Sequence, residues 1–328
     1  MMTLGAMLQP ISLPQFTADY WGKVPLHISG NPTKFSSFYS LDEFHQTLKT
    51  AGARIGLPMP FTTVSFDHGR THSRIDIADA PKLMQAGGTV CVRDVSQLDD
   101  RLAHLAGAIK RRLQFVGRTD FRAYYSPDGQ GYDLHFDARI STTLQISGKK
   151  RWRFSTEPAI AWPAYQFAAG GPFPESHSLP EWEQFKSPSE CSFQEVILEP
   201  GDVLCLPAGV WHSAEALGHS FALNMAFGFE RGFWPEFAQV VSRIVTASPI
   251  WREPPPPVVS GASQDSEAPE GFREYLRERI DDLVETLEEL RESPWAINEC
   301  WRQIWHSSIT SLPAKSDNRT LAASAAQA

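Results

Sequence analysis

The chain has few cysteines, no basic excess and no long apolar run, and each shortage closes off a class of protein. Its 4 cysteines among 328 residues, Cys91, Cys191, Cys205 and Cys300, include no CxxC pair. They read as free thiols of a reducing compartment rather than a disulfide framework or a zinc ribbon, and the cytoplasm is the expected location. Acidic residues outnumber basic ones, 38 to 30, for a formal charge of −8. A general nucleic-acid binder needs a basic face, so no nucleic-acid partner is expected. No run of about 18 apolar residues occurs, so no membrane-spanning helix is expected. No basic stretch leads into a long apolar one near Met1, so no signal peptide is expected.

What is present is enough apolar sequence, 42%, to build a sizeable core, in a length typical of about two domains. The first third reads as helices with two short strands. Phe16 to Leu26 reads as an amphipathic helix that stops before Pro25. Ser40-Leu-Asp-Glu43 has the form of a capping box, with Phe44 and Leu48 on one face of the helix it would open. A second helix is expected from Ser96, with Leu98, Leu102, Leu105, Ile109 and Leu113 recurring every three or four residues. Phe61–Phe66 and Gly88–Val92 read as strands.

From Phe121 the pattern turns to strands: Phe121–Tyr125, Ala138–Ile146, Arg151–Ser155, Cys191–Leu198, Asp202–Leu206 and Phe221–Phe229. Turns such as Ser126-Pro-Asp-Gly129 and Glu199-Pro-Gly-Asp202 separate them. Many short strands with tight turns imply a sandwich or barrel, a jelly roll among the options. Residues 156–190, rich in Pro, Gly and aromatics, read as a long insertion over the barrel mouth. Its Trp162, Tyr165, Phe167 and Phe173 would either wall an entrance or form a packed minicore.

After Phe229 a helix is expected over Gly232–Ser248, then a Pro- and Ser-rich linker to Glu270. Phe272, Leu276, Ile280, Leu283, Val284, Leu287 and Leu290 form a narrow helical stripe, which would either seat a second copy of the chain or pack on its own barrel. Residues 314–328 read as a disordered tail.

The chemistry concentrates in Gly131-Tyr-Asp-Leu-His-Phe-Asp137 and in Trp211-His212. His135 and Asp137 are two apart, so on a strand both point to the same face. His212 follows the turn-like Leu206-Pro-Ala-Gly209. Two imidazoles and a carboxylate on one side of a metal leave positions open opposite, the facial arrangement of non-haem Fe(II) oxygenases.

Tyr124-Tyr-Ser-Pro-Asp-Gly-Gln-Gly131, His135-Phe-Asp137, Leu144 to Arg153 (LQISGKKRWR) and Leu198 to His212 (LEPGDVLCLPAGVWH) together resemble the JmjC-type cupins, most nearly their ribosomal-oxygenase-like branch. FTADYWGKVPLHISG and AGGTVCVRDV resemble that branch's N-terminal region, so the likeness covers roughly residues 13–230. It implies a mainly β protein with flanking helices, a double-stranded β-helix, to which the apolar stripe after Glu270 adds a C-terminal helical region. The domains would be a JmjC-like cupin catalytic domain with N-terminal helices (1–230), a helix and linker (231–270), and a helical, dimerising region with its tail (271–328). It implies Fe(II) held by His135, Asp137 and His212, with 2-oxoglutarate and O2 as co-substrates.

The resemblance also assigns the co-substrate's contacts. Lys150 would bind its distal carboxylate, which needs a buried cation or hydroxyl donors, while Lys149 would point away. Tyr124 and Ser126 would bring hydroxyls to the co-substrate. Asn224 would lie near the iron or make a structural hydrogen bond. Thr143 and Gln145 share strand parity with Asp137, as does Arg139, a candidate substrate contact. The chain departs from the family at Ile140, where relatives often carry an acid, and shows no obvious winged-helix ending. Three readings stand: a hydroxylase of an amino-acid side chain in a protein or peptide, an oxygenase of a small amino-acid-derived metabolite, and a non-catalytic metal-binding cupin. Lys150 speaks against the third, since a simple metallocupin has no need of a cation there.

Overall fold

The computed structural model describes residues 2–52, 63–68, 71–171, 185–229, 232–257 and 268–310, with Gly52, 63–68, 71–75 and Thr310 described in backbone alone. The chain divides into two compact units, the first holding Met1–Glu230 and the second Arg231–Leu312.

The first unit opens with α1 (Leu4–Leu8) and α2 (Leu13–Gln15), which runs on as a π turn over Phe16–Tyr20. The helix expected over Phe16 to Leu26 therefore starts earlier and stops earlier. Gly22 takes a left-handed conformation, φ +66°, that ends it. Leu26–Ile28 become strand β1 instead. Helix α3 (Leu41–Gly52) starts at the expected capping box. Ser40 N–H donates to Glu43 Oε2 at 2.8 Å, and Glu43 N–H donates to Ser40 Oγ at 3.2 Å. Strands β2 (Thr63–His68) and β3 (Thr71–Ile75), helix α4 (Ala80–Gln85) and strand β4 (Thr89–Arg93) follow. Phe61 and Thr62 of the expected strand lie outside the described residues. Helix α5 spans Asp100–Leu113, and the expected start at Ser96 is a 3₁₀ turn. Asp99 is the cap, its Oδ1 accepting from the N–H groups of Arg101 (2.9 Å) and Leu102 (3.3 Å).

The remaining strands are β5 (Arg118–Ser126), β6 (Gly131–Phe136), β7 (Ile140–Pro158), β8 (Phe167–Ala168), β9 (Phe193–Leu198), β10 (Val203–Leu206) and β11 (Val210–Gly228). The two strands expected at 138–146 and 151–155 are one, since β7 bends at Gly148, φ +67°, without breaking. The strand expected over Phe221–Phe229 is only the second half of β11.

The sheet runs β1-β10-β7-β11-β5-β4-β2-β3, with β6 on β11, β9 on β7 and β8 on β6, every pairing antiparallel. The long strands β7 and β11 pair with each other throughout. Their flanking partners change along the way: β10 and β5 in one half, β9 and β6 in the other. The register slips between Leu217 and Phe221 where this exchange occurs. Two long bent strands shared between two layers make a jelly roll, the double-stranded β-helix.

The main core gathers Phe16, Phe35, Phe44, Phe121, Phe221 and Phe227 from helices and sheet. A smaller one surrounds Trp211 with Phe136, Ala159, Ile160 and Phe167, and Phe185 packs against it. Within the 156–190 insertion, Phe167 thus belongs to a minicore, while Trp162 and Tyr165 stand exposed. Phe173 lies outside the described residues.

The second unit holds α6 (Trp234–Ala247), α7 (Glu270–Glu292) and α8 (Pro294–Thr310). Val240, Val245, Leu290, Cys300 and Ile304 are buried. Leu276, Ile280 and Val284, one turn apart on α7, are 46%, 50% and 50% exposed. Most of the linker and the whole 314–328 tail fall outside the described residues.

Candidate metal and co-substrate site

His135 lies at the end of β6 and Asp137 just beyond it, while His212 is near the start of β11. Antiparallel pairing sets His212 directly opposite His135, and their ring centroids are 4.3 Å apart. The turn before His212 is held in place by backbone. Gly209 N–H donates to the Asp137 carbonyl at 2.9 Å, and Ala159 N–H donates to the Gly209 carbonyl at 2.8 Å. Gly209 has φ +79°, and a Cβ there would sit 1.9 Å from the Ile160 carbonyl oxygen, so only glycine fits. Trp211, the preceding residue of β11, is fully buried against Phe136 and Phe167, and strand alternation turns His212 to the opposite face.

The two histidines are held alike. His135 Nδ1 lies 2.7 Å from the Asp133 carbonyl and His212 Nδ1 lies 2.9 Å from the Val210 carbonyl. A carbonyl only accepts, so each ring carries its hydrogen on Nδ1 and presents the Nε2 lone pair. Asp137 Oδ2 lies 4.0 Å from His212 Nε2, and one donor atom from each of the three residues falls within 4.8 Å of the others. Burial pushes the His212 pKa down to about 4, with the His135 charge adding to it, so His212 is neutral and able to ligate at neutral pH. Burial would raise the Asp137 pKa, but His135, His212, Arg122 and Arg139 outweigh it and hold it at about 2. A neutral imidazole and a carboxylate that stays ionised are the forms a divalent cation binds. Tyr132 lies 6.1 Å from the His135 ring and Trp152 stacks 5.9 Å from the His212 ring.

Lys150 is 2% exposed, yet no carboxylate pairs with it among the described residues. Its Nζ donates to Ser126 Oγ at 2.9 Å, and Thr89 Oγ1 donates to the same oxygen at 3.0 Å. Ser126 thus accepts from both, which leaves its own hydrogen for another acceptor. Burial lowers the Lys150 pKa to about 8. Burying an unpaired ammonium costs roughly several kcal/mol, which an anionic ligand would offset. Lys149, one residue earlier, points out and pairs with exposed Glu199.

The other expected contacts divide. Tyr124 lies edge-on to Tyr132, ring centroids 5.6 Å apart, and burial raises its pKa. Thr143 and Asn224 face each other across β7 and β11, and Asn224 Nδ2 donates to Thr143 Oγ1 at 2.9 Å. Gln145 is fully buried, but its amide donates to the Ser147 and Gly148 carbonyls and to Ser220 Oγ, so it braces the β7 bend. Asp120 and Arg122 were not foreseen. Both are buried on β5, and Arg122 bears on Asp137. The alternation Asp120, Arg122, Tyr124, Ser126 against Phe121, Ala123, Tyr125 was the available signal.

The family description "JmjC domain" matches residues 98–234. The chain is 23% identical to the Bacillus subtilis protein YxbC over 69% of its own length and 70% of that protein. It is 24% identical to ribosomal oxygenase 1 of Gallus gallus over 71% of its own length, but spans only 37% of that relative. Among solved structures it resembles YcfD, a ribosomal oxygenase from Escherichia coli in complex with cobalt and 2-oxoglutarate. There the TM-score is 0.56 at 19% identity, covering 94% of this chain and 73% of the other. That likeness establishes the fold.

Proposed function

We infer, from the JmjC domain that residues 98–234 form, that this chain is an Fe(II)- and 2-oxoglutarate-dependent oxygenase that hydroxylates an amino-acid side chain in a protein. The observation that carries the reading is the pairing of a metal-ready His135–Asp137–His212 cluster with a buried lysine that has no carboxylate partner among the described residues. His135 and His212 would bind Fe(II) through Nε2, and Asp137 through its carboxylate. Lys150 and Ser126 would hold the distal carboxylate of 2-oxoglutarate, and Tyr124 its flank. Thr143 and Asn224, already bonded to each other, would shape the wall beside it.

With O2 and 2-oxoglutarate, Fe(II) supplies an oxidant able to hydroxylate a C–H bond. The chain's share is to fix three ligands on one side, exclude water and neutralise the co-substrate. Relatives named ribosomal oxygenases support a protein substrate over a small metabolite. Four free cysteines fit a reducing compartment such as the cytoplasm. No described helix is long and apolar enough to cross a membrane. The exposed stripe of α7 supports a homodimer through the C-terminal helices.

The test is succinate release from 2-oxoglutarate by the full chain with Fe(II), ascorbate and air, with and without ribosomal protein. Succinate above the metal-free control, stimulated by protein, is expected. Failure of both to appear at saturating 2-oxoglutarate would remove the oxygenase reading.

A further inference from the structure

Strand β4 comes before residues 98–234, which the JmjC description covers, yet one of its side chains reaches the buried lysine's partner. It pairs antiparallel with β5, Val90 opposite Tyr125 and Cys91 opposite Tyr124. One step further, that register sets Thr89 against Ser126, and Thr89 Oγ1 lies 3.0 Å from Ser126 Oγ. Val90 and Val92 belong to the main core, so the alternation of the strand turns Thr89 to the other face. Thr89 and Ser126 are both fully buried.

What each atom can do fixes the directions of these hydrogen bonds. An ammonium only donates, so Lys150 Nζ gives one hydrogen to Ser126 Oγ at 2.9 Å. The Thr89 hydroxyl donates to the same oxygen. A hydroxyl has two lone pairs and one hydrogen, so both lone pairs of Ser126 are taken and its hydrogen must go to a third atom. Among the described residues neither that hydrogen nor the two remaining on Lys150 has an acceptor. A carboxylate offers acceptors alone, whereas a primary amide brings two hydrogens of its own. Without the Thr89 hydrogen, one Ser126 lone pair would be free, and the hydroxyl could turn to accept from an amide N–H. The branched Cβ of threonine restricts side-chain rotation and keeps its hydroxyl aimed at Ser126.

We propose that Thr89 is a positioning residue for co-substrate selection: by occupying a lone pair of Ser126 it holds that hydroxyl as a donor, so that the subsite takes an ionised carboxylate and discriminates against an amide of the same shape. This rests on the oxygenase reading, which puts the distal carboxylate of 2-oxoglutarate at Lys150 and Ser126. The Lys150 charge favours a carboxylate as well, and substitutions at Thr89 leave that charge in place. Thr89 adds the part of the preference that depends on hydrogen direction.

The test is calorimetric titration of the full chain loaded with Mn(II), under nitrogen, with N-oxalylglycine and with its amide, N-oxalylglycinamide. Both chelate a metal through the same oxalyl end and differ in the distal group. Wild type should bind the acid more tightly. Thr89→Val keeps the shape and removes the hydroxyl. It should weaken acid binding by about three- to tenfold, the worth of one hydrogen bond, without weakening amide binding, so the preference narrows by that factor. Thr89→Ser should restore the wild-type preference, and Thr89→Ala should repeat the valine result if the valine variant does not fold. In a Ser126→Ala background, Thr89→Val should leave the preference where it is, because the hydroxyl that carries its effect is gone. An equal loss for acid and amide gives Thr89 a packing role and overturns the proposal. So does an unchanged preference in Thr89→Val, a serine variant that behaves like valine, or the same narrowing with Ser126 removed. If Mn(II)-loaded wild type binds neither compound, the oxygenase reading falls and the proposal with it. Tight binding of the acid with the preference intact in Thr89→Val sinks the proposal alone.

Discussion

The first unit buries charge and the second exposes apolar surface, and both reverse the usual partition. In the first, Asp120, Arg122, Lys150 and Asp202 lie in the interior. In the second, Leu276, Ile280 and Val284 line the outside of α7, and Trp295 is 70% exposed. One of these buried charges has a full set of structural partners. Asp202 accepts from Gly30 N–H at 2.7 Å and Glu199 N–H at 3.1 Å, and lies 3.2 Å from His27 Nε2, tying the N-terminal strand to the Glu199–Asp202 turn. Lys150 has no such set, and the contrast within one unit separates a tie from a binding group. An unpaired buried ion implies an ionic ligand, and an unburied apolar stripe implies an apolar partner.

The contrast breaks most visibly at the metal. Asp137→Ala or His135→Ala should cut succinate formation by more than about a hundredfold, beyond the effect of altering an outer-shell partner. Decarboxylation at the wild-type rate in either variant would dissolve the iron assignment. Lys150→Ala should raise the KM for 2-oxoglutarate by about tenfold to a hundredfold through loss of a charge-assisted contact, measured by initial rates. An unchanged KM moves the carboxylate site elsewhere.

The same lysine gives a pH signature. Its folded pKa, about 8, lies below the ordinary lysine value of 10.5, so the unfolded chain binds more protons between those values. Its contribution to stability therefore rises with pH across that window and stays fully unfavourable below it. Denaturant titrations of ligand-free protein should show Lys150→Met gaining most over wild type at pH 7 and losing that advantage towards pH 10. A constant difference would mean that Lys150 is paired after all.

On the second unit, Ile280→Glu should shift the chain from dimer to monomer by light scattering at micromolar concentration. A wild-type chain already monomeric there leaves the stripe without its proposed occupant. The smallest effect is expected at Lys149→Ala. Its exposed pair with Glu199 is worth at most about 1 kcal/mol, and the 2-oxoglutarate KM should not move. A large KM change would erase the distinction between the two adjacent lysines.

Much of this was legible residue by residue. The Ser40–Glu43 box, the buried face of α5 and the turn before His212 depend on neighbours within a few positions, and sequence reports these well. Boundaries slipped where a glycine or a bulge intervened. Gly22 ended a helix expected to reach Leu26, and Gly148 bent β7 where two strands were expected. Asp120 and Arg122 were overlooked because their meaning depends on Asp137, which no local pattern links to β5.

By itself the sequence determined the donor types and the short-range geometry: His135 and Asp137 two apart, His212 after a glycine turn, Lys150 beside its outward-facing neighbour. These follow from dihedral preferences and the two-residue period of a strand. Only the tertiary structure decided that β11 sets His212 against His135 and that Lys150 is sealed beside Ser126. Those outcomes depend on register between strands distant in the chain and on how much water the packed barrel excludes, and both arise only once the sheet closes.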